Sequence, residues 1–148
     1  MTEANNPNNQ TGAGASSFVK PKPWWLEVAW WARGATITIY PWIYSTQIPI
    51  PAATLVHEII HWNQQKAASS RAAWFSMYAC VPSFRKQVEL EAFTSTIRYY
   101  VNKGTWSPVV RIWLIQELSG WTYLKMMDEK EASKWVDETV AAIRREGQ

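Results

Sequence analysis

From Ala52 to about Ala68 the chain reads as one helix, with Leu55, Val56, Ile59, Ile60 and Trp62 apolar over more than one face. That pattern belongs to a helix buried on most sides, not to a surface helix. Inside it stand His57, Glu58 and His61, and the two histidines are the only ones in the chain. A polar group left unpaired in apolar surroundings costs several kcal/mol. Any fold this sequence adopts must therefore give all three groups partners.

Residues four apart on a helix face the same way, with Cβ atoms ~5–6 Å apart. Two imidazoles at that spacing can share one zinc ion, at ~2.0–2.1 Å each. Glu58 follows His57 by about 100° around the helix. From there its carboxylate reaches a water on the ion rather than the ion itself, as in the H-E-x-x-H pattern, where Glu is the general base. The plainer alternative is a pair of core histidines bonded to backbone. A metal ion satisfies all three groups together.

A catalytic zinc usually takes three protein ligands. With no third His, and Cys80 the lone cysteine, the third must be a carboxylate. The best candidates are Glu89 and Glu91 in a second helical stretch. Two positions apart, they diverge by roughly 200°, so only one faces the ion. The other is free to hold the second ring N–H of a ligand histidine. Alone, the two would read as a solvated helix face. Arg85 and Lys86 are spaced to pair with Glu89, a surface effect of a few tenths of a kcal/mol.

The length, 148 residues, gives room for one domain. Hydrophobic residues make up 47% and charged residues 18%, enough to bury a core. A net charge of +3 is too mild for a dedicated nucleic-acid binder. One cysteine excludes an internal disulfide framework. The polar stretch 1–17, rich in Asn, Gly and Ser, cannot bury enough surface to become ordered alone. Residues 1–20 are thus expected to be a flexible arm, a candidate for assembly contacts with a neighbouring subunit, ahead of a single domain over 21–148. The start has no basic, apolar leader, and no apolar run reaches the ~18 residues needed to span a bilayer. The expected location is cytoplasmic or virion-associated. Trp24, Trp25, Trp30 and Trp31 would suit a membrane interface, but interfacial helices carry basic residues where this one has Glu27. The competing reading is a short helix whose Trp rings cap the core.

The fold class expected is mainly α, with a minor β element near residues 35–50. Ala35–Tyr40 alternates and is β-branched, and Trp42–Tyr44 and Gln47–Ile50 read as further extended pieces, the last fit for an edge by its Pro49. Further helices are expected over Arg71–Cys80, from Phe84 (capped by Ser83) to Asn102, and from Val109 to Leu118 after Ser107-Pro108. A short one follows over Trp121–Met127, and a last one runs from the Asp128/Glu131 capping box to Glu146. Cys80 reads as a small buried hydrophobe.

His57-Glu58-Ile59-Ile60-His61, followed 28 positions later by Glu89-Leu90-Glu91-Ala92, resembles the gluzincin zinc metallopeptidases, above all the minimal zincin-like proteins of bacteria and phages. In their E-x-x-A-D pattern the first Glu binds zinc. The resemblance thus implies Glu89 as third ligand, with Glu91 second choice, and Phe93 stands where the pattern has Asp. It further implies Zn2+ as cofactor, Glu58 as general base, and hydrolysis of peptide bonds in protein or peptidoglycan peptides. The oxyanion donor would be Tyr123, with Tyr99 and Tyr100 as alternatives, and substrate would lie along an edge strand such as Gln47–Ile50. The rival from another class is a structural virion or tail subunit that keeps the zincin-like core as scaffold.

Overall fold

The computed structural model describes residues 15–28, 35–120 and 125–147. After a helical turn at Ala15–Phe18 come strand β1 (Val19–Pro21), helix α1 (Trp24–Val28), and strands β2 (Ile37–Ile39) and β3 (Trp42–Ser45). The helices α2 (Ala52–Ala67), α3 (Arg71–Cys80), α4 (Pro82–Asn102), α5 (Pro108–Ser119) and α6 (Glu129–Glu146) follow. The protein is mainly helical with a small three-stranded sheet.

The sheet has the order β1-β3-β2. β2 and β3 form an antiparallel hairpin around Tyr40-Pro41, with Thr38 opposite Ile43, and β1 lies parallel to β3 with Val19 opposite Ile43. Alternation turns Thr38, Ile43 and Ser45 inward, and all three are buried. β1 was not foreseen, and it straddles the boundary expected between arm and domain, with Val19 and Lys20 on the arm side. The extended piece expected at Gln47–Ile50 is not a strand: residues 46–49 bend across the surface. The Ser45 hydroxyl takes the Gln47 N–H at 3.1 Å, turning the chain out of the ladder, and Pro49 has no N–H to give one.

α4 is the spine. Val88, Glu89 and Ala92, in its first half, are buried where it packs on α2. Further along, Phe93 and Ile97 join Leu114, Ile115 and Leu118 of α5 and Val136, Val140 and Ile143 of α6 in one buried cluster. α4 begins at Pro82 rather than after Ser83, because proline takes the first helical position and Val81 precedes it with no side-chain cap. Gly104, at φ 67°, ends it in a left-handed conformation that favours glycine. Ser107 caps α5 as expected, accepting from Val110 N at 3.3 Å. The expected short helix over 121–127 falls partly outside the described residues; its last three are not helical.

Asp128 caps α6, its carboxylate accepting from Glu131 N at 2.7 Å. The Glu131 side chain does not complete the box but pairs with Lys86 of α4 at 2.6 Å. Asp128→Ala should lower stability by about 0.5–2 kcal/mol. In urea titration this appears as a lower midpoint with an unchanged slope; an unmoved midpoint would refute the cap.

Three sequence expectations need correcting. Cys80 is exposed, not buried, because α3 buries only the face that carries Trp74. Trp24 and Trp25 are 78% and 53% exposed and do not cap the core, whereas the neighbouring Leu26 is buried. Trp30 and Trp31 lie outside the described residues. Arg85 does not pair with Glu89 but donates to the carbonyls of Tyr78 (3.1 Å) and Ala79 (3.3 Å), closing the C-terminal end of α3.

Candidate metal centre

α2 and α4 bring the imidazoles of His57 and His61 against the carboxylate of Glu89. The two Nε2 atoms are 3.1 Å apart, His57 Nε2 is 3.4 Å from Glu89 Oε2, and His61 Nε2 is 3.4 Å from Glu89 Oε1. One ligand atom from each of the three lies within 4.8 Å of the others. Ligand atoms ~2.0–2.1 Å from a tetrahedral ion stand about 3.3–3.4 Å apart, so the spacing suits one divalent cation. Glu89 Oε2 is buried without a hydrogen-bond partner, which in a settled core would carry a penalty. A cation removes it. The donor set of two imidazoles and one carboxylate is borderline in softness, as zinc prefers, though it does not single zinc out.

The hydrogen bonds around the histidines fix their chemistry. Gln64 Nε2 donates to Val88 O (3.1 Å) and to Glu91 Oε2 (2.9 Å), which leaves Gln64 Oε1 to accept from His61 Nδ1 at 2.9 Å. His61 thereby carries its proton on Nδ1 and, when neutral, offers the Nε2 lone pair to the centre. Glu91 supports His61 as its position suggested, but through Gln64 rather than directly. Gln64→Ala should weaken metal binding about 10–100-fold, the usual cost of losing such a partner. A competition titration against a chromophoric chelator would show it, and an unchanged affinity would remove Gln64 from the site.

Glu58 is held from the sheet. Thr38 Oγ1 donates to Glu58 Oε2 at 2.7 Å and lies 3.2 Å from the Glu58 carbonyl. Gln65 ties α2 to the same strand, its Nε2 donating to Thr38 O and its Oε1 accepting from Tyr40 N, both at 2.9 Å. Tyr78 of α3, which sequence reasoning missed, donates to Glu89 Oε1 at 2.5 Å. Its ring stacks on Trp74 (5.2 Å, 14°), Trp74 meets His61 edge-on, and Phe93 meets His57 edge-on. The one signal for Tyr78 was its spacing of four from Trp74, which puts both on one face of α3.

Burial is the largest single influence on each group, but charged partners outweigh it at two of them. It raises Glu58, with His57, His61 and Thr38 only partly opposing it. For His61, burial acts to lower the pKa, but the charge and hydrogen bonding of Glu89 outweigh it and push the imidazole up to about 9. Glu89 runs the other way: burial would raise it, yet His61 and His57 hold it well below the carboxylate range. Burial and then Glu89 raise Tyr78, which stays a neutral donor.

Of the residues expected at the site, His57, His61 and Glu89 come together, Glu58 lies close enough to feel the charges of all three, and Glu91 reaches His61 through Gln64. Tyr123 lies outside the described residues. Tyr99 and Tyr100 face each other edge-on ten and eleven positions after Glu89, which is about 15 Å along α4 and away from the centre. No family model, no curated protein and no solved structure matches the chain.

Proposed function

We propose that the protein is a zinc-dependent peptide-bond hydrolase of gluzincin type, acting on protein or peptidoglycan peptides. The single observation that carries this reading is the convergence of His57 Nε2, His61 Nε2 and a hydrogen-bond-free Glu89 Oε2, with Glu58 on α2 between the two histidines. Three protein ligands rather than four is the count of a catalytic zinc site, not a closed structural one.

When bound, the cation supplies Lewis acidity, polarising an amide carbonyl and making a water easier to deprotonate. The rest falls to this chain's side chains. Glu58, aimed by Thr38, takes the proton from the attacking water and returns it to the leaving amine as the C–N bond breaks. Its raised pKa brings the carboxylate closer to the working pH than an ordinary Glu. Gln64 and Glu91 keep the His61 ring in one tautomer, and Trp74 and Phe93 keep bulk water from the imidazoles.

One observation favours a second reading, a virion or tail subunit in which this site is structural. His57, Glu58, His61 and Glu89 are only 6%, 6%, 7% and 1% exposed, which leaves little of them for a substrate to meet. Zinc content of the purified chain, with hydrolysis of a peptide library and of peptidoglycan stem peptides, separates the two. Chelator-sensitive cleavage supports the hydrolase. One ion per chain with no cleavage of either substrate class supports the subunit, and no ion at all removes both metal roles. Among the described residues no helix is long and apolar enough to cross a membrane.

A further inference from the structure

Glu89 presents two oxygens to the same space, and they are not equivalent. Oε1 takes the Tyr78 hydroxyl at 2.5 Å, while Oε2 takes no hydrogen bond. Tyr78 cannot easily leave. Its ring is stacked on Trp74, and its carbonyl is gripped by Arg85. Arg85 stands one helical turn before Glu89, so α4 holds the backbone of Tyr78 with one side chain and its hydroxyl with the next on the same face. Arg85 is itself buried, so this clamp is part of the packing of α3 on α4 and not a surface contact.

We infer that Tyr78 is a positioning residue that makes Glu89 a one-oxygen ligand: it occupies Oε1 and leaves only Oε2 for the cation. A carboxylate free to turn can give both oxygens to an ion and fill a further coordination position. A carboxylate with one oxygen committed to a phenol gives one. Two imidazoles and one oxygen then leave a position open, which a hydrolytic centre needs for water and substrate. The inference rests on the metal-centre reading above and deepens it, assigning the open position to a residue outside the ligand set.

The test is spectroscopic and does not depend on turnover. Cobalt(II) replaces zinc in such sites, and its visible absorption weakens markedly as coordination rises from four to five. Wild type and Tyr78→Phe are loaded with cobalt, the bound ion is counted, and the visible spectrum and X-ray absorption edge are recorded. Phe keeps the ring stack on Trp74, and far-UV circular dichroism of both proteins checks the fold. Wild type is expected to give the intense four-coordinate spectrum. Tyr78→Phe is expected to bind one ion with a weaker, five-coordinate spectrum, because the freed Oε1 joins the ion. Arg85→Lys, which loosens the grip on α3 but keeps the hydroxyl, is expected to fall between them. Identical spectra for wild type and Tyr78→Phe overturn the inference while leaving the metal centre standing. A wild-type chain that takes up no cobalt overturns the metal-centre reading and this inference with it.

Discussion

Glu58→Gln is expected to cut peptide hydrolysis by about 100- to 10,000-fold, the range supplied by a positioned general base, without loss of bound metal. Gln keeps the length and shape of Glu, and its carbonyl oxygen can still accept from Thr38 Oγ1, now 2.7 Å from Glu58 Oε2. What it loses is the capacity to take a proton. His57, His61 and Glu89 are untouched, so zinc per chain should match wild type. Because burial raises the Glu58 pKa, losing its charge does not strip the core of a favourable ion. Thermal stability should change little. Equal rates for the variant and wild type would remove Glu58 from the chemistry. Loss of metal together with activity would mean that Glu58 shapes the site rather than acting in it.

The second large effect is on metal binding as pH changes. In the metal-free protein His61 titrates at about 9, raised chiefly by Glu89 against the opposing effect of burial. Zinc needs the neutral imidazole, so below that pH each ion bound must displace one proton. Apparent affinity should climb about tenfold per pH unit as the pH rises towards about 9 and level off above it. Chelator competition across that range measures the slope. Calorimetry in buffers of different ionisation enthalpy counts the proton directly. The same shift sets the stability of the metal-free chain. A raised folded-state pKa contributes stability that is complete below about 6.5 and lost as pH rises through about 9. Glu89→Gln removes the charge responsible, so it should flatten the pH dependence as well as weaken binding. A pH-independent wild-type affinity would contradict this assignment.

The parts of the centre readable in the sequence are those fixed by helical period alone. His57 and His61 share a face because they are four apart, and Glu89 and Glu91 diverge because they are two apart. Which of these two Glu turns inward depends on the roll of α4 against α2, and the resemblance rather than the spacing favoured Glu89. Thr38 and Tyr78 were not readable, since each reaches the centre from a separate element whose crossing is a tertiary fact. Thr38 was one residue of an alternating, β-branched run, and Tyr78 another aromatic in an aromatic-rich chain. The helices were legible from their apolar period and end signals. The sheet was less so: three-residue strands such as β1 carry too few side chains to show a pattern.

Gln65 has a consequence for the hairpin's behaviour in concentrated solution. A strand at the margin of a sheet offers unpaired amides on which another molecule's backbone can build. The Thr38 carbonyl of β2 and the N–H of Tyr40, just past its end, are already engaged by the Gln65 amide, which imitates a neighbouring peptide group while being 2% exposed. The margin is blunted from within at that point, whereas the opposite margin, β1, carries Lys20 and Pro21.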